Sequence, residues 1–359
     1  MHFQRLEVSK LRNLTSVSLH PGMRINLLYG ANGSGKTSLL EAIHLLCLAR
    51  SFRSIRTSHI VQHGEQSLTL FAELSSPKGV VHRLGLQRSM DNRILIRLDS
   101  HNLRSRAELA SLVPLLILTP DSSQLVSGSP RQRRSFIDWL MFHVEPAFQT
   151  HWSAYQKTLK QRNSLLRSRR TETLAYWDQQ LLLHGDKIDQ MRKVVLPELA
   201  VYIEKHISQL LPELDLAIDY RQGWNKDISF EQALEAHRQR ELQQGITSVG
   251  PHRCDLKLSI DKQPAAEVLS RGQTKLLVVA MHMGQMELLA RKTGKQCVVL
   301  IDDLPAELDS ARRQGLLGLL HEQGHQVFIT ATDRELIDIS AWQETKVFHV
   351  ERGQIKEVV

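Results

Sequence analysis

Two stretches of the sequence carry the residue types that grip and cleave a phosphate chain. The first, "LLYGANGSGKTSLLEAIHLL", contains Gly30, Ala31, Asn32, Gly33, Ser34, Gly35, Lys36 and Thr37, a complete match to G-x-x-x-x-G-K-[ST]. Gly30, Gly33 and Gly35 let backbone N–H groups turn toward the α- and β-phosphates of a nucleotide, with a helix N-terminus behind them. Lys36 is expected to reach the β- and γ-phosphates, and the Thr37 hydroxyl to ligate Mg²⁺. The second stretch, "KQCVVLIDDLPAELD", supplies carboxylates. Asp302 is expected in the magnesium shell, and Asp303 beside the water that attacks the γ-phosphate.

Such groups act together only if the fold brings them together, and the flanking residues say how. "RINLLY" (Arg24–Tyr29) predicts a buried strand before the phosphate loop, and "TSLLEAIHLLCLA" a helix packed on a sheet after it. Cys297–Ile301 is an unbroken apolar run, the pattern of a central parallel strand. Its C-terminal edge, where α/β sheets bind ligands, is Asp302 and Asp303. Asp309 is the better candidate for capping the helix that follows. About 265 residues separate Lys36 from Asp302, so both halves must close into one sheet around an insertion. Positions 67–99 alternate as strands do, and positions 130–211 turn helical without sustained heptads. The expected division is 1–128 for the first part of a nucleotide-binding lobe, 129–245 for a helical lobe and 246–359 for the second part.

With 42% apolar residues the chain can build a packed core, and its formal charge of +8 favours a polyanionic partner. Residues 129–170 hold Arg131, Arg133, Arg134, Lys157, Lys160, Arg162, Arg167, Arg169 and Arg170 against only Asp138 and Glu145, nearly the whole excess. A solvated helix normally mixes signs, so this lobe is expected to face duplex DNA, with Arg131, Arg133, Arg134, Lys157, Lys160 and Arg162 as candidate contacts. Trp152, Tyr155 and Trp177 fall at helical spacing and read as core rather than as base-stacking groups. Cys47, Cys254 and Cys297 lie at no metal or disulfide spacing, which fits a reducing cytosol. "MHFQRLEVSK" does not read as a secretory signal, and the apolar run "LVPLLIL" is far short of a membrane span. A soluble, cytoplasmic protein is expected.

"VLSRGQTKLLVVA" (Val268–Ala280) reads as a turn running into an apolar helix, a second phosphate-gripping arrangement. Taken with the other two motifs it resembles the ABC-type ATPases, in which a Ser-X-Gly-Gln turn binds the γ-phosphate of the nucleotide held by the other protomer. Ser270, Gly272 and Gln273 fill that motif, with Arg271 where transporter versions have glycine. An ordinary helix start capped by Ser270 gives the same pattern. A closer resemblance, to the bacterial RecF family, runs through "LRNLTSVSL", "RSFRS", "LTPDSSQLVSGSPRQRRSFIDWLMFHVEP", "LKQRNSLLR", "VGPHRCDL", "LSRGQTKLL" and "IDDLPAELD".

The resemblance implies an α/β fold: an ABC-type head, a phosphate-loop mixed sheet plus antiparallel strands, with a helical arm lobe inserted before the signature. It implies ATP and Mg²⁺ as cofactors, an ATP-dependent homodimer, slow switch-like ATP hydrolysis, and binding to double-stranded and gapped DNA. RecR and RecO would be partners, in RecA loading and support of the SOS response. Gly30 to Thr37 would be the Walker A loop, Asp302 and Asp303 the Walker B pair, and Ser270 to Gln273 the signature. Arg12 of "KLRNL" would lie near the nucleotide. His252 and Arg253 match a family motif for which a buried turn is an equal reading. Gln124 is the candidate for the glutamine of ABC heads, and Thr332 stands where a switch histidine is usual. A transporter ATPase subunit and an ATPase coupled to a nuclease remain alternatives. The first expects a shorter spacing between the motifs, the second an additional acidic metal cluster.

Overall fold

The unbroken apolar runs and the alternating ones resolve into two different sheets. The computed structural model describes residues 1–169 and 172–358, and the side chains of all of these but Ala306 and Glu307. In chain order, β1 (His2–Leu11), β2 (Leu14–Leu19) and β3 (Ile25–Tyr29) lead to α1 (Lys36–Leu48). Next come β4 (Ser67–Ser75), β5 (Val81–Ser89), β6 (Ile94–Leu98), β7 (His101–Asn102), α2 (Arg106–Leu112) and β8 (Leu115–Leu118). The middle of the chain holds α3 (Gln124–Ser127), α4 (Pro130–Val144), α5 (Phe148–Ser168), α6 (Leu174–Leu210), β9 (Ala217–Arg221) and α7 (Phe230–Gln244). It continues with β10 (Asp255–Ile260), β11 (Gln263–Pro264), α8 (Ala265–Val268) and α9 (Arg271–Thr293). Last come β12 (Val298–Ile301), α10 (Leu304–Glu307), α11 (Ser310–Gln323), β13 (Gln326–Ala331), β14 (Lys346–Glu351) and β15 (Gln354–Val358).

Met1–Ser122 and Gly294–Val359 form one compact unit. Its first sheet runs in the order β15-β14-β3-β13-β12-β8 and is parallel except for β15. Every residue of β12 and β13 is buried, which is why these strands read as continuous hydrophobic runs instead of alternating ones. The second sheet, β2-β1-β4-β5-β6-β7, is antiparallel, and its alternate residues Leu68, Leu70, Ala72 and Leu74 point into the core. Helix α1 packs against strands of both sheets, so Leu39, Leu40, Ile43 and Leu46 are all buried and no polar face survives beyond its first turn. Each such leucine or isoleucine contributes about 1.5–3 kcal/mol by leaving water. The helix carrying the phosphate loop is thereby fixed to the whole unit.

Ser123–Thr293 form the second unit, built on α5, α6, α7 and α9 with a small antiparallel sheet, β11-β10-β9. It takes in residues 246–293, which the sequence pattern assigns to the nucleotide-binding part. Two long-range pairings draw them here: β10 binds β9 from Asp255↔Arg221 to Ser259↔Ala217, and α9 packs along α6. Asp309 caps α11, accepting from the Arg312 amide at 2.9 Å, as its position predicts.

The second unit is pinned from inside by charges. Arg162, counted above among candidate DNA contacts, is 0% exposed and donates to Asp178 (2.6 Å), Glu241 (2.6 Å) and Thr247 (2.8 Å). It cannot reach a phosphate from there, because α6 and α7 cover it with its own counter-ions. Arg192 is equally buried and donates to Asp138 (2.6 Å) and to the Pro251 carbonyl (2.9 Å). Trp152 stacks between Phe148 and Tyr155, each at 5.9 Å, so the aromatics of α5 serve packing. Among the described residues, no helix is long and apolar enough to cross a membrane.

Candidate nucleotide site

Strand β3 delivers the chain to Gly30, and α1 carries it away from Lys36. Between them the backbone must take left-handed values: φ is 151° at Gly30 and 122° at Gly35. A Cβ at Gly30 would lie 2.1 Å from the Val350 carbonyl oxygen, so only glycine lets the loop leave its strand here. Lys36 is buried and donates from Nζ to the carbonyls of Gly30 (2.6 Å) and Ala31 (3.0 Å), closing the loop on itself. Burial lowers its pKa, while Asp303 and Asp302 act in the opposite direction. Ser34 Oγ is buried in the same loop and has no hydrogen-bond partner among the described residues.

The two stretches that carry the chemistry meet. Thr37 Oγ1 donates to Asp302 Oδ1 at 2.9 Å, across 265 positions of sequence. The same carboxylate oxygen accepts from Thr330 Oγ1 at 2.8 Å, and Thr330 in turn accepts from the Asp303 amide at 2.7 Å. Asp303 has φ 54° and ψ 50°, a left-handed conformation that costs a non-glycine residue energy and concentrates at functional positions. Asp302, Asp303, Lys36, Thr37, Asn32, Gly33 and Gly35 line one cavity of about 400 Å³. Gly30, Ala31 and Ser34 belong to the same loop and are not among the lining residues.

Arg12, Asn13, Ser38 and Arg53 line the same cavity. Arg12 Nε and Nη2 both donate to Glu41 of α1, the second at 2.8 Å. Arg53 lies 3.8 Å from the same carboxylate, and Ser51 also donates to it. Glu41 is fully buried, so one acid fixes two cations that face the cavity. Sequence reasoning missed Glu41, Arg53 and Thr330. Only Glu41 leaves a signal, as a lone charge inside the apolar "LLEAIHLL", where it needs buried partners.

At the signature, Ser270 Oγ accepts from the Gln273 amide at 3.3 Å and Gln273 Oε1 accepts from the Ser270 amide at 3.1 Å, a reciprocal cap at the start of α9. Gln124 opens α3 and accepts from Gln132 Nε2. Thr332 is exposed and is not among the residues lining the cavity, whereas Thr330, two residues earlier, is. His252 sits in a 3-10 turn, Pro251–Arg253, with Nδ1 2.7 Å from the Tyr155 hydroxyl. Burial holds its pKa down to about 4, so it is neutral at pH 7.

Of the basic candidates, Arg131, Lys157 and Lys160 are exposed. Arg133 forms a two-point pair with Asp255, at 2.7 and 3.1 Å, and Arg134 donates to the Cys254 carbonyl. Both are committed to anchoring β10, so the charge count misplaced them along with Arg162. Arg167 and Arg169 are exposed; Arg170 lies outside the described residues. Among the described residues, no group of three or more His, Cys, Asp or Glu side chains is arranged to hold a metal.

Thr330 lines the cavity and orients Asp302. Replacing it by valine keeps the shape and leaves the Asp303 amide and one carboxylate oxygen short of a partner. In a site that cleaves a phosphate chain, loss of such an orienting hydrogen bond is expected to slow turnover about 10–100-fold while nucleotide affinity changes little, measured by steady-state hydrolysis beside equilibrium binding.

The model of the RecF/RecN/SMC N terminal domain matches residues 2–356. The DNA replication and repair protein RecF of Pseudomonas entomophila (strain L48) is 45% identical over 363 residues, covering 99% of this chain and 98% of that protein. Its counterpart from Pseudomonas paraeruginosa (strain DSM 24068 / PA7) is 44% identical over 361 residues, with coverage of 99% and 98%. Among solved structures, the recombination mediator protein RecF-ATPrS of the RecFOR pathway superposes with a TM-score of 0.89 at 26% identity, covering 100% of this chain and 98% of that one. An SMC head bound to the C-winged helix domain of ScpA matches with a TM-score of 0.60 at 14% identity over 100% and 97% of the two chains, a likeness of fold alone. With an ABC-type α/β head and a helical arm, the chain belongs to the RecF/RecN/SMC N-terminal domain family and, within it, to the RecF proteins.

Proposed function

We propose that this protein is an ATP-gated DNA-binding protein of recombinational gap repair and replication. The reading is carried by the contact of Thr37 with Asp302 beneath a complete phosphate loop. A hydroxyl and a carboxylate converging on one point suit Mg²⁺, which takes few protein oxygens and fills its shell with water and phosphate. When bound, the ion would neutralise charge between the β- and γ-phosphates. Lys36 would turn its ammonium from the Gly30 and Ala31 carbonyls to the phosphates. Asp303, held in its strained conformation, would orient the attacking water and accept its proton. The likeness to RecF solved as RecF-ATPrS and RecF-ATP supports ATP as the nucleotide.

The signature would complete the site from a second copy. Ser270 Oγ accepts from Gln273, so its O–H proton remains free to donate to a γ-phosphate at the N-terminus of α9. The cap and the signature are then compatible uses of one serine. Two nucleotides held between two copies would favour the dimer by mass action, and hydrolysis would release it. Turnover would be slow, because neither Thr330 on the cavity wall nor Thr332 beside it offers an imidazole to the γ-phosphate. The relatives named above act in DNA replication and repair and in the RecFOR pathway. This supports RecO and RecR as partners, action at gapped duplexes where RecA loads, and support of the SOS response.

The DNA surface would be α5. That helix contains no acidic residue, and Lys157, Lys160, Arg167 and Arg169 are exposed along it with Gln156, Gln161 and Ser164. Replacing these four cations by glutamine is expected to weaken duplex binding and to flatten the slope of log Kobs against log salt by up to about 3.6, roughly 0.9 for each phosphate that is no longer neutralised. Nucleotide binding should persist. An unchanged salt slope would remove α5 from the interface.

A further inference from the structure

The last hairpin of the chain grips the phosphate loop without entering the cavity. Strand β14 pairs with β3, bringing His349 beside Tyr29 with ring centres 5.0 Å apart just before the loop begins. Its Val350 carbonyl lies against Gly30. In the turn, the Gly353 amide donates to the Ser34 carbonyl at 2.8 Å, in the middle of the loop. Gly353 also lies against the turn between β1 and β2, where a Cβ on it would fall 2.2 Å from the Asn13 carbonyl oxygen. From that position Asn13 Nδ2 donates to the Gly33 carbonyl (3.3 Å), and Asn13 Oδ1 accepts from Ser38 Oγ (2.9 Å).

We infer that the β14–β15 turn is a positioning element of the nucleotide site and that Gly353 is its key residue. The Gly353 amide fixes the Ser34 carbonyl, and the missing side chain lets Asn13 come close enough to hold the loop at Gly33 and the first turn of α1 at Ser38. A loop whose N–H groups must converge on a phosphate gains affinity from being held in that shape beforehand. The inference rests on the ATP-binding reading and extends the site to a segment over 300 residues distant in sequence.

The test compares Gly353→Ala with Gly79→Ala. Both glycines have similar left-handed φ, 76° and 78°, but a Cβ at Gly79 meets nothing within 4 Å, so the second variant reproduces the backbone strain without the close approach. Binding of a fluorescent ATP analogue is measured well below the melting temperature of each variant, and amide exchange of residues 31–35 is followed without nucleotide. For Gly353→Ala the expected result is about a tenfold or greater loss of affinity and faster exchange in the loop, with Gly79→Ala matching the parent in both. If Gly353→Ala does not fold, an ester in place of the Arg352–Gly353 amide removes the N–H donor without adding a side chain, and about a fivefold loss is expected. Parental affinity and parental loop exchange in either Gly353 variant would overturn the inference. If the parent chain itself binds no nucleotide, the ATP reading fails, and the exchange measurement still decides whether Gly353 holds the loop.

Discussion

Lys36→Ala is expected to lower ATP affinity by roughly a hundredfold, about 3 kcal/mol, the upper range for a hydrogen bond to a charged group. The ammonium no longer meets the phosphates, and this loss outweighs the small gain from not having to break its bonds to the Gly30 and Ala31 carbonyls on binding. Stability should change far less than affinity, because α1 is held by its leucines on both sheets and Lys36 sits at its first turn. Equilibrium titration with a fluorescent ATP analogue, beside a urea unfolding curve, separates the two. Affinity within twofold of the parent would mean that the cavity is not the nucleotide site.

Arg162→Ala is expected to be the most damaging single change in the helical unit, costing about 3–5 kcal/mol. Its side chain lies between Asp178, 8% exposed, and Glu241, 0% exposed. Arg238 still reaches Asp178 at 2.9 Å, and Ser248 still donates to Glu241, but neither can neutralise the Glu241 carboxylate. An acid left buried and unpaired is far more costly than the pair is favourable. The urea midpoint should fall sharply for Arg162→Ala and stay within about 0.5 kcal/mol of the parent for the exposed Lys160→Ala. Equal, small effects at both positions would show that Arg162 is a surface residue after all.

Arg162 also shows where sequence reading stops. The nine basic residues of positions 129–170 were visible as a charge excess, but a count has no geometry. Three of them, Arg133, Arg134 and Arg162, turn inward to carboxylates and a carbonyl supplied by residues far along the chain. The site itself was more legible, because a phosphate loop is a local device: strand, glycines and helix are contiguous, and the paired aspartates close a strand that announces itself by unbroken burial. Thr330 was invisible since its role exists only through contacts with Asp302 and Asp303, which lie on the neighbouring strand's exit. The placement of residues 246–293 failed for a similar reason. Nothing local in "CDLKLSI" tells that its partner strand is "AIDYR" in the helical half of the chain.

The signature turn is the point on which the account depends. In a single chain Ser270 and Gln273 cap each other at the start of α9, and the proposed contact with a γ-phosphate would lie across two copies. Solution mass by light scattering, with and without ATP–Mg²⁺, tests this directly. It would be run on the parent chain, Lys36→Met and Ser270→Arg, with duplex DNA binding followed in parallel. The account predicts that ATP converts monomer to dimer in the parent alone, and that both substitutions abolish the shift together with tight DNA binding. A Ser270→Arg protein that dimerises with ATP and binds DNA as the parent does would contradict it, leaving "LSRGQ" as a helix cap and nothing more.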